Sequence, residues 1–123
     1  MRLLLDTHAL LWWQQGDRRL SPVARRAISD ADSVQVSAAA LWEIVIKAQL
    51  GKIEASLDAV FDLSADGFRE LPIRGIHARA AGELPPHHKD PFDRMIAAQA
   101  QVEDLTLVTS NPIFTAYGVR TLY

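Results

Sequence analysis

The sequence predicts an α/β fold in three layers, a central, mainly parallel sheet of four to five strands between two layers of helices. Short apolar runs at 2–5, 33–36 and 106–109 read as buried strands. Helix-like stretches separate them, and that alternation implies parallel strands with helices on both faces. Carboxylates also stand at the ends of these elements, namely Asp6, Glu43, Asp90 and Asp93. In open α/β sheets, sites form at the carboxyl ends of the strands.

Arg2-Leu3-Leu4-Leu5 is a continuous apolar run, the mark of a central strand covered on both faces. A helix from Thr7 to Gln15 follows, with Ala9, Leu10, Trp12 and Trp13 on its apolar side, and Gly16-Asp17 stops it. Ser21-Pro22 supplies a cap and a first-turn proline for a helix reaching about Ser29. Strand 33–36 precedes a helix capped by Ser37 that runs to Leu50, and Gly51 ends it. A further amphipathic helix is expected from Ser56 to about Ala65, a weaker strand over Phe68–Ile73, and a short helix from Gly75 to Leu84 before Pro85-Pro86. Asp90-Pro91 opens the next helix, which runs to about Glu103. Thr106–Thr109 is the clearest late strand, broken by Ser110-Asn111-Pro112. A short helix near Ile113-Phe114 and a final strand at 119–122 complete the chain.

The 123 residues show no repeat, linker or composition shift, so one domain over 1–123 is expected. There is no cysteine, which excludes disulfides, cysteine-ligated zinc and iron–sulfur clusters and fits a reducing compartment. Asp6 and His8 interrupt the apolar amino terminus, which reads as neither a secretory signal nor a membrane span, and the expectation is a cytoplasmic protein. The net charge of −2 argues against a general basic coat for nucleic acid. Local cations remain: Arg18-Arg19, Arg25-Arg26, Lys47, Lys52, and His87-His88-Lys89 with Arg94. A solvated helix face is the ordinary reading of such pairs.

Several acids converging at strand ends would form an oxygen-only pocket, suited to Mg²⁺ or Mn²⁺ rather than zinc. Asp6 is equally a cap for the helix at Thr7. Glu43 lies in Leu41-Trp42-Glu43-Ile44-Val45-Ile46, apolar on nearly all sides and therefore expected to be mostly buried. A buried acid is paired or ligates a metal, and Lys47 stands four residues on, placed either for an ion pair or to face substrate phosphate. Asp90 fits the N-cap position, while Asp93 can point across the sheet end toward Asp6 and is favoured as a ligand. Asn111 follows the late strand, where its amide oxygen could hold a metal or its water, or simply serve a turn. Thr109 and Ser110 offer hydroxyls to support the ligands. His88, near Asp90, could touch a scissile phosphate, though a solvated loop histidine is the ordinary reading. His8, His77, His87 and His88 have no metal-binding spacing, and neither a phosphate-binding glycine loop nor a nucleophile elbow occurs. The tryptophans at 12, 13 and 42 lie in helices and read first as core.

Taken together, Leu4-Leu5-Asp6-Thr7-His8, Ser37-Ala38-Ala39-Ala40-Leu41-Trp42-Glu43-Ile44 with Lys47 and Leu50-Gly51-Lys52, His88-Lys89-Asp90-Pro91-Phe92-Asp93-Arg94-Met95-Ile96-Ala97-Ala98-Gln99-Ala100 and Leu107-Val108-Thr109 resemble the PIN-domain ribonucleases, in particular VapC-type toxins of type II toxin–antitoxin pairs. The resemblance covers essentially the whole chain. It implies Asp6, Glu43 and Asp93 as catalytic and metal-site residues, with Asp90 as a secondary candidate; the residues themselves add Asn111, Thr109 and Lys47 as secondary groups and Lys47, His88 and Arg94 toward substrate. It implies Mg²⁺, with Mn²⁺ as a substitute, and hydrolysis of RNA to 5′-phosphate and 3′-hydroxyl ends. It also implies a VapB- or Phd-type antitoxin whose tail covers the acidic pocket, and a homodimer, for which the apolar faces of the early helices with Trp12 and Trp13 are available. The family often has a fourth acid where this chain has Asn111, which bears on whether a second metal binds and on activity.

Two other readings stand beside this one. A phosphatase using Asp6 as nucleophile would want a second aspartate two residues on, where this chain has His8. A catalytically weak module that binds RNA or a partner would also fit the asparagine at 111.

Overall fold

A computed structural model describes residues 1–123. Five strands form one sheet, β1 (Arg2–Leu5), β2 (Ser33–Ser37), β3 (Arg69–Leu71), β4 (Thr106–Val108) and β5 (Thr121–Leu122), in the order β3-β2-β1-β4-β5. Every pairing is parallel, with Leu4 opposite Gln35 on one side and Leu107 on the other. The helices α1 (Thr7–Gln15), α2 (Pro22–Asp30), α3 (Ala38–Gln49), α4 (Leu57–Phe61), α5 (Gly75–Glu83) and α6 (Pro91–Val102) pack around it.

β1 is the middle strand because its side chains need cover on both faces. Leu3, Leu4 and Leu5 are fully buried, and the apolar run without alternation has that cause. One contiguous core joins them to Leu10 of α1, Ile44 of α3, Ile96 of α6 and Leu107 of β4.

The chain first builds outward from β1 to β2 and β3. It then crosses back through α5 and α6 to place β4 on the other side of β1. β1 and β4 therefore send their onward connections in opposite directions. The crevice between their carboxyl ends is the switch point at which open α/β sheets hold ligands. Asp6 leaves β1 there, and its N–H donates to the Val108 carbonyl of β4 at 3.1 Å.

Helix starts follow the local chemistry. Ser21 and Ser37 cap α2 and α3, accepting from the N–H groups of Ala24 and Ala39. Gly16, at φ 63°, ends α1 in the left-handed conformation that glycine adopts without strain.

Four expectations change. The helix expected over 56–65 is α4 followed by a separate 3₁₀ turn at Leu63–Asp66; at Asp62 (ψ 63°) the backbone leaves the helix and the side chain accepts from the Ser64 hydroxyl. The strand expected over 68–73 keeps only three residues, because Pro72 has no N–H for the ladder. The final strand shortens to Thr121–Leu122. The last helical segment is a 3₁₀ turn over Pro112–Tyr117. No helix is long and apolar enough to cross a membrane.

Candidate metal centre

Asp6, Glu43 and Asp93 come from the end of β1, the second turn of α3 and the first turn of α6. Asp6 and Glu43 are each only 8% exposed. The Asp6 Oδ1 accepts from the Ala9 N–H at 2.8 Å and so caps α1. The Thr109 hydroxyl, at the end of β4, donates to the Asp6 carboxylate and accepts from the Asn111 N–H. Burial pushes the Asp6 carboxyl above the usual carboxylate range despite those hydrogen bonds, and the Glu43 charge pushes it further. Asp93 is also raised, again chiefly by burial, with the charges of Asp90 and Glu43 adding to it and His88 opposing. Glu43 therefore acts electrostatically on both aspartates.

Thr7 ties Glu43 to this end of β1. Its buried hydroxyl donates to Glu43 Oε1 at 2.6 Å, and Lys47 Nζ lies 3.2 Å from Oε2. The ion pair that was one reading of Glu43 and Lys47 is thus present. Thr7 carries no signal of its own in the sequence beyond following Asp6 at the strand end.

The three metal-capable side chains whose ligating atoms lie within 4.8 Å of one another are His88, Asp90 and Asp93; Asp6 and Glu43 are outside that group. Asp90 spends its Oδ1 on the N–H groups of Phe92 and Asp93, the cap that its spacing predicts. His88 is not a solvated loop residue: its Nε2 lies 2.8 Å from Asp93 Oδ2. Pro91 and the cap at Asp90 turn the chain so that residues five apart meet, which a search for ligand spacing does not detect.

Arg94, expected toward substrate, is engaged elsewhere. Its guanidinium donates to the carbonyls of Ala81, Leu84, Pro85 and His88. It closes the carboxyl end of α5 and holds the α5–α6 turn. Asn111 is exposed and its Oδ1 accepts from the Ile113 N–H, so the turn reading describes it. Trp12 and Trp13 are half-buried against the core, as expected of core residues. Trp42 is not: it is 61% exposed and meets Phe92 edge-on, ring centres 5.3 Å apart. α3 is mostly buried, as its apolar sequence predicts, and Trp42 stands on its free face.

This arrangement fits a hard divalent cation. The three acids offer carboxylate oxygens, burial disfavours the charge of Asp6 and Asp93, and Lys47 is the ammonium paired directly with Glu43.

Residues 3–119 match the PIN domain family, and the chain belongs to it. Over 112 residues it is 33% identical to Ribonuclease VapC22 of Mycobacterium tuberculosis, a match covering 89% of this chain and 86% of that protein. Its fold is similar to VapBC2 from Rickettsia felis bound to a DNA fragment from their promoter, with TM-score 0.74 and 16% identity over 99% of this chain and 98% of that one. It is likewise similar to a toxin–antitoxin complex from Klebsiella pneumoniae, with TM-score 0.71 and 20% identity over 98% and 96% of the two chains.

Proposed function

We propose that this protein is a Mg²⁺-dependent endoribonuclease toxin of the VapC type, acting in the cytoplasm on RNA phosphodiester bonds, with Asp6, Glu43 and Asp93 as its metal-binding and catalytic acids. One observation carries the reading. Burial raises both Asp6 and Asp93, and the Glu43 charge adds a smaller push to each, so an acid on α3 acts on acids from two other distant segments. A bound cation relieves such destabilisation of carboxylate charge. The likeness to Ribonuclease VapC22 supports the same chemistry.

A bound Mg²⁺ or Mn²⁺ would supply an acidified water and positive charge facing the transferring phosphoryl group. The chain supplies orientation. Thr109 and the α1 amino terminus fix Asp6, Thr7 fixes Glu43, and His88 bonds Asp93. Lys47 stands beside Glu43, where its ammonium would face the phosphate of a bound RNA.

The same reading includes a VapB- or Phd-type antitoxin. Two adjoining clefts of about 280 and 290 Å³ run along α1 and share Leu11, Gln15 and Glu54, a groove suited to a peptide segment. It also includes a homodimer. The early tryptophans are half-buried against the core, and an exposed apolar face is formed by Trp42 on α3 and Leu50 just past its end, with Ile46 half-buried between them.

The test is purified protein against total RNA with and without Mg²⁺. Wild type is expected to leave 5′-phosphate and 3′-hydroxyl ends only with metal. Asp6→Asn and Asp93→Asn should keep their circular dichroism and lose cleavage. Undiminished Mg²⁺-dependent cutting by both variants refutes the assignment. Metal-independent RNA binding by wild type, with no cutting, would support the weak binding module, which the capping role of Asn111 favours.

A further inference from the structure

The α5–α6 turn is built more firmly than a surface loop requires. Arg94 binds the carbonyls of Ala81, Leu84 and Pro85 at 2.8, 2.9 and 3.0 Å, and that of His88 at 3.3 Å. The Tyr117 hydroxyl donates to the His88 carbonyl as well, at 3.4 Å. The backbone of His88 is thus held from two elements that do not belong to the turn. The outcome is a single side-chain contact, Nε2 to Asp93 Oδ2 at 2.8 Å.

An ionised carboxylate only accepts, so the bond requires Nε2 to carry the proton. Asp93 has no role in capping α6, because Asp90 already takes the first-turn N–H groups. His88 is therefore the side chain that sets the Asp93 rotamer. With Oδ2 held, the second oxygen has a defined direction.

We propose that His88 is a positioning residue, fixing the Asp93 carboxylate so that its other oxygen is presented to a divalent cation. This rests on the reading of Asp93 as a metal ligand. A ligand free to rotate must be ordered on binding, and partners outside the ligand set are commonly worth about 10–100-fold in metal affinity. His88 does not touch the metal. Its loss weakens metal binding and leaves the rest of the cleavage machinery in place.

The experiment is a Mn²⁺ titration by calorimetry on full-length wild type, His88→Ala and His88→Gln, with RNA cleavage measured at limiting and saturating Mn²⁺. The alanine variant should bind Mn²⁺ about 10–100-fold more weakly. Saturating Mn²⁺ should restore most of its cleavage, with KM for RNA unchanged. Glutamine can place a donor N–H near the Nε2 position, so His88→Gln should recover much of the affinity. Unchanged Mn²⁺ affinity with a raised KM in His88→Ala overturns the proposal and makes His88 a substrate contact. Lost affinity that glutamine does not recover also overturns it, since the imidazole would then ligate directly. Should wild type bind no Mn²⁺, the metal centre and this inference fall together; binding by wild type with equal affinity in the alanine variant sinks the inference alone.

Discussion

Asp6 caps α1 and, in the proposed function, also binds the metal, and the two roles can be separated. Its Oδ1 caps α1, a task asparagine performs equally well, while its charge is disfavoured by burial. The folded chain binds protons at Asp6 and Asp93 more tightly than the unfolded chain does. The contribution of these two groups to the stability of the metal-free protein therefore falls as pH rises from the ordinary aspartate value of 3.8 through the raised values. Asp6→Asn removes the Asp6 share of that loss. Without metal it should melt above wild type at pH 7, and the difference should shrink as the pH is lowered toward 4 in a thermal-shift series. Adding Mg²⁺ reverses the order: at ten times its Kd a ligand stabilises by about 1.4 kcal/mol, which wild type gains and the variant does not. A variant no more stable than wild type at pH 7 would mean that the Asp6 charge is already neutralised within the chain. Much at this scale was legible. Asp6 and Asp90 announce themselves as acids at element starts, and both are caps. The roles of Thr7, His88 and Arg94 were not, because each depends on which distant group folding brings opposite it.

Among the elements, α3 and α6 carry Glu43 and Asp93, and their ends are set by small local devices. Ser37 closes the first turn of α3 through its bond to the Ala39 N–H, so Ser37→Ala should cost about 1 kcal/mol in urea unfolding. Arg94 does more, because one guanidinium satisfies carbonyls at the end of α5 and in the turn beyond. Arg94→Ala should cost about 1–3 kcal/mol and reduce cleavage by loosening the His88 segment. Arg94→Lys should restore little, since an ammonium lacks the planar fork that reaches several carbonyls together. Full activity and stability in the lysine variant would show that charge alone is needed. Helices with a cap and a glycine or proline stop were readable to within a residue or two. The helix expected over 56–65 was not, because the backbone leaves the helix at Asp62 (ψ 63°) inside a pattern that stays apolar at helical spacing and holds no glycine or proline stop.

At the level of the whole molecule, the parallel sheet and its switch point do most to assemble the site. The apolar run of β1 and the alternation of strands and helices foretold both, but strand order cannot be read from periodicity, and that order alone brings Asp6 beside Thr109. Leu4, fully buried in the middle strand, is the position where truncation should be felt most widely, and Leu4→Ala should cost about 2–5 kcal/mol. Trp42 tests the assembly instead of the fold. Trp42→Ala should leave the melting temperature of dilute protein nearly unchanged and shift sedimentation from dimer to monomer; a monomeric wild type would remove the dimer from the account.

The central claim is that Asp6, Glu43 and Asp93 share one cation. Crystals grown with Mn²⁺ and measured for anomalous scattering decide it directly. The account predicts a peak between Asp6 and Asp93, with a carboxylate oxygen of each at about 2.0–2.2 Å and Glu43 bound directly or through one water. A peak held by His88, Asp90 and Asp93, with Asp6 outside its coordination, would contradict it.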